Sequence, residues 1–208
     1  DSVLVADLIR YGQFVETRLA DEDLFSLRTL TRFRAYLVES ISDLKRKVVC
    51  VLDQVFPEYQ SIFSNIFGKA SKEILLQFSS PIDFESVSSE TLAQLLAQLS
   101  RQKVGAAKAE QLKAAASSSF GVTFAKNSFT FQLKTLIGQI SFIEKQVKET
   151  EAEISSIMGK LDSPITTITG IGTVTGAAIL SEIGDIYKFD SPRKLVAFAG
   201  LDATVTQS

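Results

Sequence analysis

"FTFQLKTLIGQISFIEKQVKETEAEISSIMGKL", residues 129–161, decides the architecture. Its apolar positions Phe129, Leu133, Leu136, Ile140, Ile143, Val147, Ile154, Ile157 and Leu161 advance by fours and threes, with Thr150 the one polar member. Such spacing keeps one stripe on one side of a helix and defines a heptad seam. Gln146, Lys148, Glu149, Glu151 and Glu153 fill the outer face. Upstream, residues 23–56 hold neither Gly nor Pro, and Leu37, Ile41, Leu44, Val48, Val51 and Val55 repeat the same steps. Pro57 ends or bends that helix. Two seams in one chain predict an antiparallel coiled-coil hairpin. Pairing with a second copy of the chain fits the spacing equally well.

Between the seams, residues 57–126 read as an insert of short helices. "SIFSNIFGKASKEILLQF" supplies one or two, and "SSPIDFESVSSETLAQLLAQLSRQK" places a cap at Ser88 or Ser89 before an amphipathic run. "GAAKAEQLKAAASSSFG" is an alanine-rich helix that Gly121 is expected to close. "VTFAKNSFTF" comes nearest to a strand but lacks sustained alternation. The predicted class is all-α.

The 208 residues are 45% hydrophobic and 22% charged, ample for a packed core. No 18-residue apolar span exists, which argues against a membrane helix. The chain lacks an initiating Met and a leader, so an internal fragment is expected. Cys50, the sole cysteine, lies in the apolar run "KVVCVLD" and is expected in the core; its solitude excludes a disulfide framework and fits a cytoplasmic protein. A net charge of −2 exerts no general pull on nucleic acid. Locally, Arg28, Arg32 and Arg34 cluster in "LRTLTRFRAYL" without an acid, either as a solvated face or as a nucleic-acid surface. Histidine is absent, which removes histidine general bases and histidine metal ligands from these residues.

After Leu161 the heptads stop, and "TTITGIGTVTGAAILSEIGDIYKF" follows at residues 166–189. Ile168, Gly170, Ile171 and Gly172 before a small-residue helix from Thr173 form a helix-hairpin-helix pattern, with Ile171 tucked between the helices. The missing Cβ atoms of Gly170 and Gly172 permit unusual φ values and close phosphate approach, and the helix start offers free amides. The alternative is a plain turn linking two packed helices. Gly176 is expected to allow close helix packing. Ser191 and Pro192 open another short helix, through about Ala199. The candidate DNA-contacting set is Gly170, Ile171, Gly172, Thr173, Thr175, Arg193 and Lys194.

The whole run from "ITTITGIG" through "SEIGDIYKFDSPRKLVAFAGLDATVTQS" resembles the C-terminal domain of DEDD-type insertion-sequence transposases, the family numbered one hundred and ten, also called bridge-RNA-guided recombinases. Thr169 stands where that family's hairpin usually has Pro, and Ala203 where Pro often follows "GLD". "LRTLTRFRAYLVESISDLKRKVVCVLDQVFPEYQSIFSNIFG" is similar to its long helix, and "DSVLVADLIRYG" to the last motif of its RuvC-like nuclease domain. The resemblance implies a DNA-cutting and rejoining enzyme with Mg²⁺ held by four acidic residues, of which Asp1 matches the last. Ser208 matches the nucleophilic serine. A structured guide RNA is implied as partner, with Arg28, Arg32 and Arg34 its candidate contacts, and a homo-oligomer joined through the coiled coil. On their own, Asp1 reads equally as a helix N-cap and Ser208 as a surface hydroxyl.

The expected division is 1–20 as the tail of the nuclease domain, 21–161 as the coiled-coil region with its insert, and 162–208 as the hairpin domain. Two other functions fit parts of the sequence. A non-catalytic DNA-binding module would use the hairpin, and a structural coiled-coil protein would use the seams.

Overall fold

The computed structural model describes residues 2–12, 22–99, 105–161 and 163–201. Every regular element among them is helical, as expected. The α-helices are α1 (Ser2–Arg10), α2 (Glu22–Val55), α3 (Tyr59–Ile62), α4 (Lys69–Gln77), α5 (Pro81–Ser86), α6 (Ser89–Leu99), α7 (Gly105–Ser117), α8 (Lys126–Leu161), α9 (Thr173–Ile183) and α10 (Pro192–Phe198). The chain divides into two compact units, Asp1–Arg32 with Ala152–Ser208, and Phe33–Glu151.

In the second unit, residues 33–55 of α2 and 126–151 of α8 run antiparallel. Arg34 pairs with Glu151 at 2.7 Å at one end. At the other, the Val122 N–H, just ahead of α8, donates to the Gln54 carbonyl at 2.7 Å. The predicted seam residues Leu37, Ile41, Val48, Val51, Val55, Leu133, Leu136 and Ile140 are buried. Leu52 and Ile137, off both predicted seams, are buried as well. A two-helix seam would leave them at its flank; here they join one core with insert residues from Tyr59 to Ala116, so the apolar stripe is broad. Thr150, the polar seam residue, is satisfied by donating its hydroxyl to the Gln146 carbonyl.

The insert closes around aromatic rings. Phe84 lies 5.5 Å from both Phe56 and Phe78, and the buried Tyr59 hydroxyl bonds Ser71. Burial drives the Tyr59 phenol well above its usual range. The Ser88 hydroxyl accepts from the Thr91 N–H and caps α6, as the sequence suggests. At the start of α5, the Asp83 carboxylate accepts from the Ser79 and Ser80 N–H groups and the Ser80 hydroxyl, and pairs with Lys126 at 2.8 Å. Burial would raise this carboxyl, but the Lys126 and Ser80 bonds outweigh it and hold it below the ordinary range.

Two sequence expectations are corrected here. Cys50 is exposed, because Val48, Val51 and Leu52 take the core side of α2 and leave residue 50 on the outer face. Gly121 does not close the alanine-rich helix, which ends at Ser117. Its glycine requirement comes from a close backbone approach: a Cβ there would sit 2.0 Å from the Val55 carbonyl oxygen.

In the first unit, Leu27 of α2, Ile154, Ile157 and Met158 of α8, and Ala177 of α9 form a separate small core, flanked by Leu30, Leu161, Ile165 and Leu180. Gly176 admits this packing. A Cβ on it would lie 2.9 Å from Ile165 Cγ2 and 3.6 Å from Ile171 and Met158 side-chain carbons. The α1 residues are all exposed.

Candidate nucleic-acid interface

A 3-10 turn, Pro164–Thr167, leads from α8 into the glycine hairpin. The Ile171 N–H donates to the Ile168 carbonyl at 3.0 Å and closes a tight turn around Gly170. Gly170 has φ +90°, a left-handed conformation that glycine adopts without steric cost. Gly172 differs from the sequence expectation: its φ of −79° and ψ of 171° are ordinary extended values. Nothing lies within 4 Å of a Cβ placed on either glycine, so both face open space. Ile171 is half-buried beside Gly176.

Gly172 is the N-cap of α9, and its carbonyl accepts the Gly176 N–H at 2.8 Å. The amides of Thr173, Val174 and Thr175 have no acceptor within the helix. Gly172 has no side chain to cap them. Thr173 and Thr175 are exposed beside those amides. The positive end of the helix dipole adds to their pull on an anion.

The opposite end of α9 is gripped by arginines from α2. Arg28 donates Nε at 2.9 Å and Nη2 at 2.6 Å to the Ser181 carbonyl. Arg32 forks the Glu182 carboxylate, Nε to Oε1 at 2.7 Å and Nη2 to Oε2 at 2.9 Å. The Arg32 bond holds the Glu182 carboxyl below its usual range. Arg34 is spent in the other unit, on Glu151. Thus the three clustered arginines each bind an acceptor within their own unit. Periodicity missed Glu182, since its partners lie about 150 residues away; the only local hint was two arginines at i and i+4.

Further along, Ser191 occupies the N-cap position of α10 and Pro192 its first turn, although the Ser191 side chain makes no capping bond. Arg193 and Lys194 are exposed, and Lys194 pairs with Asp190, lowering that carboxyl. The "AGL" stretch ends α10. Gly200, at φ +73°, donates to the Ala197 carbonyl and Leu201 to the Val196 carbonyl, a Schellman closure. Lys188 lies 4.9 Å from the ring centres of both Phe189 and Phe198.

Asp1 and Ser208 lie outside the described residues. Among the described residues no three or more His, Cys, Asp or Glu side chains gather as metal ligands, so these residues do not by themselves build a Mg²⁺ centre. No helix among them is long and apolar enough to cross a membrane.

Neither a curated protein nor a solved structure matches the chain. Two family models do. Residues 1–57 match a DEDD-type IS110 model described as Transposase. Residues 162–208, which contain the hairpin and α9, match Transposase IS116/IS110/IS902 family. The chain therefore carries IS110-family transposase domains, those of an insertion-sequence transposase.

Proposed function

We propose that the protein cuts and rejoins DNA for its insertion sequence and holds the DNA backbone through the glycine hairpin. The observation that carries this reading is the open turn at Gly170 and Gly172 in front of the uncapped first turn of α9. Amides aimed at solvent from a helix start suit a phosphate and ignore base identity. Gly170, Ile171, Gly172, Thr173 and Thr175 make the contact, with Arg193 and Lys194 as nearby cations. A helix-hairpin-helix module without chemistry would use the same amides, but the transposase matches at both ends favour the enzyme.

For the chemistry, Ser208 is the proposed nucleophile. Its Oγ forms a bond to phosphorus while the phosphorus–deoxyribose oxygen bond breaks. The serine proton passes to a base, and the departing oxygen takes up a proton. A hydroxyl of another strand then attacks the same phosphorus and releases the serine. Asp1 is proposed as one Mg²⁺ ligand, together with carboxylates not among the described residues. A structured RNA is the proposed guide, in the cytoplasm.

For Arg28, Arg32 and Arg34, the intramolecular acceptors favour a role in the fold over contact with that RNA. Self-association, also proposed, needs surface outside the buried seams, because Leu133, Ile137 and Ile140 face their own core.

Denaturing electrophoresis of the intact protein with end-labelled DNA tests the chemistry. Ser208→Ala should abolish the protein–DNA species that survives boiling in detergent while leaving DNA binding near normal. A robust covalent species from that variant would remove Ser208 from the reaction.

A further inference from the structure

We infer that Arg28 and Arg32 are positioning residues: from one face of α2 they hold α9 by its C-terminal end and so fix the hairpin amides at its other end. The inference rests on the hairpin reading for its functional half and on geometry alone for the clamp. Residues four apart on a helix share a face, so both guanidiniums reach the same target. That target is where α9 most needs donors. Its last carbonyls have no helical partners, and the negative end of its dipole lies there. Arg28 satisfies the Ser181 carbonyl twice over and approaches the Glu182 carbonyl at 3.5 Å. Arg32 locks the Glu182 side chain through two parallel bonds, a geometry lysine cannot reproduce.

Between these bonds and the hairpin, Ala177 packs into the same small core as Leu27 and Ile157. The helix is therefore held by dry contacts along its middle and by charge at its end. Being 11 residues long, α9 spans about 16 Å and carries a tilt at Glu182 directly to Thr173.

The test measures hydrogen exchange of the α9 and hairpin amides in the intact protein, with binding to duplexes of unrelated sequence measured in parallel. Arg28→Lys with Arg32→Lys keeps both charges and loses the forks. Exchange over residues 170–183 should quicken by about tenfold, the loss expected for bonds to charged groups, while residues 154–158 of α8, in the core of the same unit, stay protected as the control for folding. Single Arg32→Lys gives a milder variant should the double one unfold. Arg32→Glu with Glu182→Arg should restore part of the protection, because that pair is rebuilt with its polarity reversed while Arg28, 3.8 Å from the Glu182 carboxylate, would then face a like charge. Normal protection in the lysine variants would overturn the clamp. So would a charge swap that keeps protection yet flattens the salt dependence of nucleic-acid binding, since the arginines would then be phosphate contacts. Lost protection with unchanged duplex affinity would support the clamp and sink the hairpin reading instead.

Discussion

At the scale of single residues, glycines divide by what surrounds them. Gly121 has no room for a side chain, since a Cβ would meet the Val55 carbonyl oxygen at 2.0 Å, backbone that cannot swing aside. Gly121→Ala should lower stability by about 2 kcal/mol or more, read as a reduced urea midpoint. An unchanged midpoint would mean that the 121–122 segment can lift off α2 freely. Gly172, by contrast, has open space and an ordinary φ, so the fold makes no steric demand for glycine there. The sequence showed both glycines plainly but not this difference. Gly121 looked like a helix terminator because it follows an alanine-rich run, and only the long-range approach of Val55 assigns its part.

At the scale of elements, the helices and some of their starts were legible, because apolar spacing and the residues Ser88 and Pro192 act locally. What joins elements was not. Asp83 ties α5 to the start of α8 through Lys126, 43 residues away, and no periodicity announces such a pair. Asp83→Asn should cost about 1–3 kcal/mol at neutral pH, visible as a lower melting temperature. Its pH dependence follows from direction. The folded-state carboxyl is held below its ordinary value, so the stabilisation is complete above about pH 4 and disappears as pH falls through the depressed value. Glu182 is depressed in the same direction by Arg32, so the first unit should also weaken in acid. Thermal melts between neutral pH and pH 3 should therefore fall more steeply for the natural protein than for Asp83→Asn. Parallel slopes would assign the acid sensitivity to other groups.

At the scale of the whole molecule, both long helices were legible as helices with a buried apolar stripe, but the stripe serves a broader core than a two-helix pair would have. Leu52 and Ile137 were invisible because the insert that covers them could not be placed from sequence. One consequence is that Ile140→Asp should collapse the second unit rather than only separate copies, by several kcal/mol for a buried charge. Circular dichroism should show lost helicity; full helicity with a smaller sedimenting mass would mean that Ile140 serves an interface between copies. The tight turn at Gly170 was equally legible, whereas the arginine bonds to the far end of α9 were not.

The hairpin's function is tested most directly by Gly172→Ser. Serine suits the N-cap position, and its hydroxyl oxygen would accept from the α9 amides that Gly172 leaves uncapped. Folding should therefore be unharmed, with a melting temperature equal to or above that of the natural protein. Affinity should nevertheless fall by similar factors for duplexes of unrelated sequence, because the amides meant for phosphate are occupied and the approach is narrowed. Undiminished affinity in a stably folded Gly172→Ser protein, or a loss confined to one sequence, would contradict the phosphate-binding account.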